Sequence, residues 1–278
     1  MTSTGELCAI VLAAGEGRRL RPLTELLPKA LCPVANLALL DHAIRRVSGL
    51  GLTDIAVNAS YLAGQVVAHV GDRAHMSIEP DGPLGTAGGV GNLRGWIDGR
   101  GVLVGNADAY LADPNREPGK DIAAMLDGWD GETVRMLTLP VPAGDTGGFR
   151  GRRFAGFSLL PWSRVRDLAA EPGELVRRVW RPAEDAGELQ LIHYDGVYID
   201  TGTPADYLRA NLHAAGGSAL VDPSATVTGR VRASVVGSRA TVAGEIDRCV
   251  VWPGARVEAG ETLAGAIRAG DALTVVTT

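Results

Sequence analysis

CAIVLAAGEGRRLRPLTELLPKALCPV, residues Cys8–Val34, is the stretch whose reading decides the fold. An apolar run, Ala9 to Ala13, stops at Gly15-Glu16-Gly17, and Arg18, Arg19 and Arg21 follow at the bend. Lys29 closes the segment between Pro28 and an apolar return. A buried strand that delivers a glycine-rich cationic loop suits a polyphosphate. Backbone N–H groups reach phosphate oxygens where no side chain intervenes, and guanidinium groups clamp two oxygens at once.

Outward from this stretch the pattern alternates. Leu39–Leu50 has helical spacing and stops at glycine, Asp54–Ala59 reads as a strand, and 62–70 as a second helix. A strand at His75–Glu79 leads to a second glycine-rich segment, 81–89, that opens a helix, and a strand over 101–104 ends near Asn106 and Asp108. Strands are expected at 134–141 and 154–160 around a Gly/Arg-rich turn (143–153), helices at 162–170 and 174–181, and a strand over 197–200. Pro204 then starts a helix to about 215. Such alternation predicts an α/β domain with a Rossmann-like, mostly parallel sheet, whose ligands lie beyond the C-terminal strand ends. From 219 on, small and β-branched residues recur about every six positions, the mark of a hexapeptide-type β-helix. The expected organisation is a catalytic domain over 1–216 and a short left-handed parallel β-helix over 217–278.

Composition narrows the chemistry. The chain has 278 residues and a net charge of −5, which leaves no basic surplus for general nucleic-acid binding. Cys8, Cys32 and Cys249 are odd in number and scattered in apolar surroundings, so they read as buried reduced thiols in a cytoplasmic protein. No apolar stretch approaches the roughly 20 residues of a membrane span. Leu20 stands where the dinucleotide fingerprint wants a third glycine, and no Gly-Lys-Ser/Thr exists for a Walker loop. The five histidines show no zinc-ligand spacing.

What remains is a glycine loop with arginine and lysine, plus Asp108 and Asp200 at strand ends. Bland readings stand beside these: Gly15 and Gly17 as a tight turn, Asp108 as a helix N-cap, Asp200 as a turn stabiliser, Gly156 as the mark of a bulge. GEGRRLRPLTELLPKAL resembles the signature loop of sugar-1-phosphate nucleotidylyltransferases, as do LGTAGG (84–89), GNAD (105–108) and YIDTGTPADYLRAN (198–211). The tail is similar to the β-helix of mannose-1-phosphate guanylyltransferase-like members.

The resemblance implies that Ala13, Ala14, Gly15, Gly17, Gly85, Thr86 and Ala87 bind nucleotide. It implies catalytic roles for Arg19, Lys29 and Asp108, with Arg19 on the β- and γ-phosphates and Lys29 bridging the α-phosphate to the sugar phosphate. Asp108 and Asp200 would hold Mg²⁺, and Asn106, Gly148, Arg150 and Gly156 would meet the sugar phosphate. One departure stands out: no lysine lies between Leu139 and Phe157, where many members carry one. Arg150, Arg152 or Arg153 is expected to supply that charge, in a compact segment that resembles uridylyltransferases of muramic acid recycling.

The implied reaction joins a nucleoside triphosphate and a sugar 1-phosphate into a nucleotide sugar and pyrophosphate, with GTP and mannose 1-phosphate or a similar sugar or cyclitol phosphate expected first. UTP or dTTP is the alternative nucleotide. A non-catalytic sugar-nucleotide-binding paralogue is the alternative class, and a β-helix acyltransferase is disfavoured because the tail has no histidine. The β-helix is expected to pack on the catalytic domain or to form a contact in a homo-oligomer, with neither nucleic acid nor membrane as partner.

Overall fold

The computed structural model describes residues 7–142, 144, 147–270 and 272–277. These fall into two compact units, one drawn from the described residues of 7–16, 40–107 and 111–198, the other from those of 17–39, 108–110 and 199–277.

The first unit is built on a seven-stranded sheet. Its strands are β1 (Leu7–Leu12), β2 (Ile55–Ala59), β3 (His75–Ile78), β4 (Gly101–Asn106), β5 (Val134–Pro140), β6 (Arg152–Leu160) and β7 (Leu189–His193). Their spatial order is β7-β5-β6-β4-β1-β2-β3. All run the same way except β6, which pairs antiparallel with β4 and β5. β1 is central and covered on both faces, which is why its sequence is apolar throughout rather than alternating. Cys8 and Ile10 join Val102, Val104, Val134 and Met136 in one buried cluster.

Helix α1 (Leu39–Gly49) buries Leu39, Leu40, Ala43, Ile44 and Val47 and exposes Arg45 and Ser48, the spacing of one apolar face. α2 is Ala63–Val70 and α3 is Gly85–Asn92, both close to expectation. Two expected helices are shorter or altered. Only Trp162–Val165 forms at the first, while the second becomes a π turn, Val176–Trp180, continuing into Arg181–Asp185. The edge strand β7 carries no expected signal, since its half-buried LQLIH mixes both periods. The turn foreseen over 143–153 lies outside the described residues at 143 and 145–146.

The second unit carries α4 (Pro204–Ala214) and the β-rich tail. The tail forms three parallel ladders: Leu220–Val221, Val235–Val236, Val250–Val251 and Ala266–Ala269 in one, with three strands in each of the others. Equivalent residues such as Val235 and Val250, or Thr241 and Arg256, lie fifteen positions apart. The last coil is longer, with Val250 paired to Ile267 and Glu245 to Thr262, seventeen positions apart, so each wall averages about five residues in the earlier coils and approaches the expected six only in the last. Leu273–Val276 closes the last coil antiparallel to Ala266–Ala269, which the repeat did not announce.

All three cysteines are buried and unpaired with one another, as the apolar surroundings suggested. Burial pushes the thiols of Cys8 and Cys32 up to about 12 from an ordinary 9.0. A thiol held neutral in the fold but free to ionise when unfolded gives stability that is whole below pH 9 and is lost as pH rises toward 12. Denaturation midpoints are therefore expected to fall above pH 9, with a slope of up to about 1.4 kcal/mol per pH unit for each such group. A flat stability profile from pH 8 to 11 would contradict this. Among the described residues, no helix is long and apolar enough to cross a membrane.

Candidate functional site

The second unit brings together the four charged residues singled out in the sequence. Lys29 opens a 3₁₀ turn after Pro28, fixed by Leu31 N–H on Pro28 O (2.8 Å) and Cys32 N–H on Lys29 O (3.0 Å). Its side chain is buried, and Nζ donates to Asp108 Oδ2 at 3.0 Å and Asp200 Oδ1 at 3.4 Å. The other oxygen of Asp200 pairs with Arg19 Nη2 at 3.5 Å. Both carboxylates are about half exposed (46% and 49%), so they stay hydrated and open to a ligand while the ammonium behind them is sealed.

Local structure decides against the bland readings of the two aspartates. No helix begins at Asp108, because Ala109–Ala112 is a strand. The TGTP turn does not need Asp200: Thr203 caps α4 by accepting from Asp206 N–H (3.2 Å) and donating to its carboxylate (2.7 Å). Thr201, fully buried, donates to the Asp108 carbonyl at 2.8 Å and so fixes that residue. Gly17 adopts a left-handed conformation (φ 62°), and a Cβ there would lie 2.9 Å from Lys29 Cβ and from Thr24 Cγ2. Any larger residue would push on the lysine itself.

Formal charge tests the fit of a metal. Two cations and two carboxylates cancel, so this cluster alone offers a polyphosphate no net attraction. Among the described residues no three His, Cys, Asp or Glu side chains converge as a metal cage. A pair of carboxylates is the usual protein share for Mg²⁺, which keeps waters and takes substrate phosphates as further ligands. Asp108 and Asp200 fit that role, and the ion would leave the cluster net positive.

The first unit places the remaining residues at C-terminal strand ends. Ala13 and Ala14 leave β1 buried, Gly15 is exposed beyond them, and Asn106 ends β4 in register with Leu12. Gly85, Thr86 and Ala87 open α3. The Thr86 hydroxyl donates to Glu174 Oε2 (2.8 Å) and accepts from Leu175 N–H (2.8 Å), while Ala87 N–H donates to Gly173 O (2.9 Å). The segment 173–175 thus holds the start of α3.

Two residues here were missed by the sequence reading. Ala13 N–H donates to Asn58 Oδ1 (2.7 Å), Asn58 Nδ2 donates to Glu79 Oε1 (2.7 Å), and Leu84 N–H donates to Glu79 Oε2 (2.7 Å). This buried relay ties one glycine-rich loop to the other across β1, β2 and β3. The only signal available was a polar Asn near the end of the apolar β2 and a Glu just after β3.

The arginines expected to replace the absent lysine are all engaged. Arg150 donates to Leu189 O (2.6 Å) and lies 3.9 Å from Glu184, while Arg152 bonds Thr138 Oγ1 (3.0 Å) and His193 Nδ1 (2.5 Å). Arg153 sits over the Tyr198 ring at 5.9 Å. The Gly148 carbonyl accepts from Arg181 (2.8 Å). Gly156 has φ 87° at the point where the β5–β6 register shifts, so it does occupy a bulge.

Residues 8–125 match the family model described as Nucleotidyl transferase. An N-acetylmuramate alpha-1-phosphate uridylyltransferase from Caulobacter vibrioides is 30% identical, over 69% of this chain and 74% of its own length. The chain belongs to the sugar-1-phosphate nucleotidylyltransferase family. A mannose-1-phosphate guanylyltransferase from Mycobacterium tuberculosis is 27% identical to this nucleotidylyltransferase over 93% of the chain and 83% of the relative. A Bacillus anthracis crystal structure, of a candidate glucose-1-phosphate thymidylyltransferase with sucrose, shares the fold. Its TM-score is 0.59 at 19% identity, and the match covers 75% of this chain and 95% of that one. The transferase therefore acts on a nucleoside triphosphate and a sugar 1-phosphate, and the named relatives differ in nucleotide.

Proposed function

We propose that the enzyme uses GTP with mannose 1-phosphate, or a similar sugar or cyclitol phosphate, and works with Mg²⁺ held by Asp108 and Asp200. The observation that carries the chemistry is the convergence of both carboxylates on Lys29 Nζ at 3.0 and 3.4 Å. Guanylyl specificity draws its support from the LGTAGG segment and from a guanylyltransferase relative matched over 93% of the chain, a share that a glucose-1-phosphate thymidylyltransferase from Streptomyces antibioticus also reaches.

The sugar phosphate reaches neutral pH largely as a dianion, its second pKa lying near 6 as for other phosphate monoesters. It needs no general base. Its oxygen attacks the α-phosphorus in line, the new O–P bond forms as the bond to the β-phosphate oxygen breaks, and pyrophosphate departs with the electron pair. The protein's task is to bring two anions together and stabilise the charge that moves. Lys29, fixed and dehydrated, would contact the α-phosphate and the incoming phosphate. Arg19, exposed beyond Asp200, would hold the β- and γ-phosphates. The N–H groups at Gly15 and Gly17 would receive phosphate oxygens, and the start of α3 would face the nucleotide. Bound Mg²⁺ would supply Lewis-acid neutralisation of the triphosphate.

The absence of lysine between Leu139 and Phe157, together with the uridylyltransferase relative, favours UTP as the second reading. One matrix decides: GTP, UTP, dTTP, ATP and CTP against several sugar 1-phosphates, read as pyrophosphate release. The expected result is a GTP maximum that disappears with EDTA and returns with added Mg²⁺. A UTP maximum transfers the assignment to the second reading. Turnover that survives chelation removes the metal from Asp108 and Asp200, and silence across the matrix leaves a binding paralogue.

A further inference from the structure

We propose that Tyr207 of α4 and Trp252 of the coil are positioning residues for Lys29, joined to it through the Pro33 carbonyl that follows the lysine turn. The proposal rests on the role given to Lys29 above. After Lys29–Leu31 the chain makes a two-residue hairpin, Pro33–Val34 against Leu37–Ala38. Its turn residues, Ala35 (φ 52°) and Asn36 (φ 64°), are both left-handed, the signature of a type I′ turn. Neither is glycine, so the turn is held from outside.

Three elements do the holding. Tyr207 OH and Asn211 Nδ2 (3.4 Å) both donate to Pro33 O, and Ala35 N–H donates to Asn211 Oδ1 (3.1 Å). Asn36 Nδ2 donates to Val236 O on the coil at 3.0 Å. Trp252, also on the coil, donates from Nε1 to the Tyr207 hydroxyl at 3.0 Å, with the rings edge to face at 6.4 Å. The Tyr207 hydroxyl therefore accepts from the coil and donates to the hairpin, and both groups are buried. Burial also pushes the Tyr207 phenol well above its ordinary range, so the donated proton stays in place.

The coil is thus a brace for the lysine turn. Lys29 Nζ must sit between two carboxylates, and only three residues separate Lys29 from Pro33, whose carbonyl Tyr207 grips. A shift of the hairpin moves the ammonium relative to Asp108 and Asp200. Charge transfer in the reaction depends on such placement to within a fraction of an ångström.

The test uses Tyr207→Phe, which keeps the ring and removes both bonds of the hydroxyl, and Trp252→Phe, which keeps an aromatic ring and removes only the Nε1 bond, in the full chain and again in a Lys29→Met background. In the wild-type background each single change is expected to lower kcat by about tenfold. KM for the nucleotide should stay within twofold. The double change should cost no more than Tyr207→Phe alone, because both act through one hydroxyl. In the Lys29→Met background neither should lower residual turnover further. Losses that persist at full size without the lysine, or unchanged kcat in both single variants, overturn the proposal. If Lys29→Met itself leaves turnover intact, the failure lies with the role assigned to Lys29 instead.

Discussion

Lys29→Met is expected to lower kcat by about 10²–10³-fold, the usual loss when one fixed donor to a charged transition state is removed. The ammonium is buried and oriented by two carboxylates before substrate arrives, so it needs no reorganisation as charge moves to the leaving pyrophosphate. Methionine keeps the length and apolar stem, so the turn over Lys29–Leu31 should survive. Asp108 and Asp200 lose a partner but remain about half exposed and hydrated, so the thermal midpoint should move little. Lys29→Arg should rescue poorly. Gly17 lies against the stem, and a planar fork cannot stand where a compact ammonium does. Pyrophosphate release under saturating substrates checks both variants, and turnover within threefold of wild type would end the assignment.

How much of this was legible in the sequence depends on distance along the chain. β1, α1 and α4 could be read because their signals are local: a continuous apolar run, one apolar face, and a Thr-Pro cap. Lys29, Asp108 and Asp200 were legible as motifs but not as a cluster. Their separations of 79 and 171 residues close only when the chain returns through 108–110 and 199–200. The Asn58–Glu79 relay left only two polar residues near strand ends, and the Tyr207–Trp252 pair left no mark. Asn58 and Tyr207 sit on elements that already explain them, Glu79 and Trp252 just follow strands, and only the partner reveals the second role. The coil was recognised but its period was read too long for the earlier coils, because both members of adjacent valine pairs are buried, as at Val235–Val236 and Val250–Val251, and either can be counted as the repeat.

A second large effect is expected far from these charges. Arg46→Met should destabilise the protein by about 3–5 kcal/mol, since it strands a buried carboxylate. Arg46 Nε bonds Asp121 at 2.9 and 3.2 Å and Nη2 bonds Leu111 O at 3.0 Å; the two charged side chains are 4% and 0% exposed. Gly119 N–H (2.9 Å) and Tyr194 OH (3.1 Å) also donate to Asp121. Two neutral donors do not replace a guanidinium in the core, so the loss should appear as a thermal midpoint lower by on the order of 10 °C. Asp121→Asn added to Arg46→Met should recover part of it by removing the stranded charge, a coupling that separates electrostatics from lost packing. The same variant should keep wild-type kcat well below its midpoint. Sealed on both sides, this ion pair can contribute only to folding. The carboxylates beside Lys29 are open to solvent, which is why the same pairing there adds little stability and leaves the charges available to a substrate. A midpoint within 2 °C of wild type for Arg46→Met, or a kcat that falls with it at low temperature, would break that distinction.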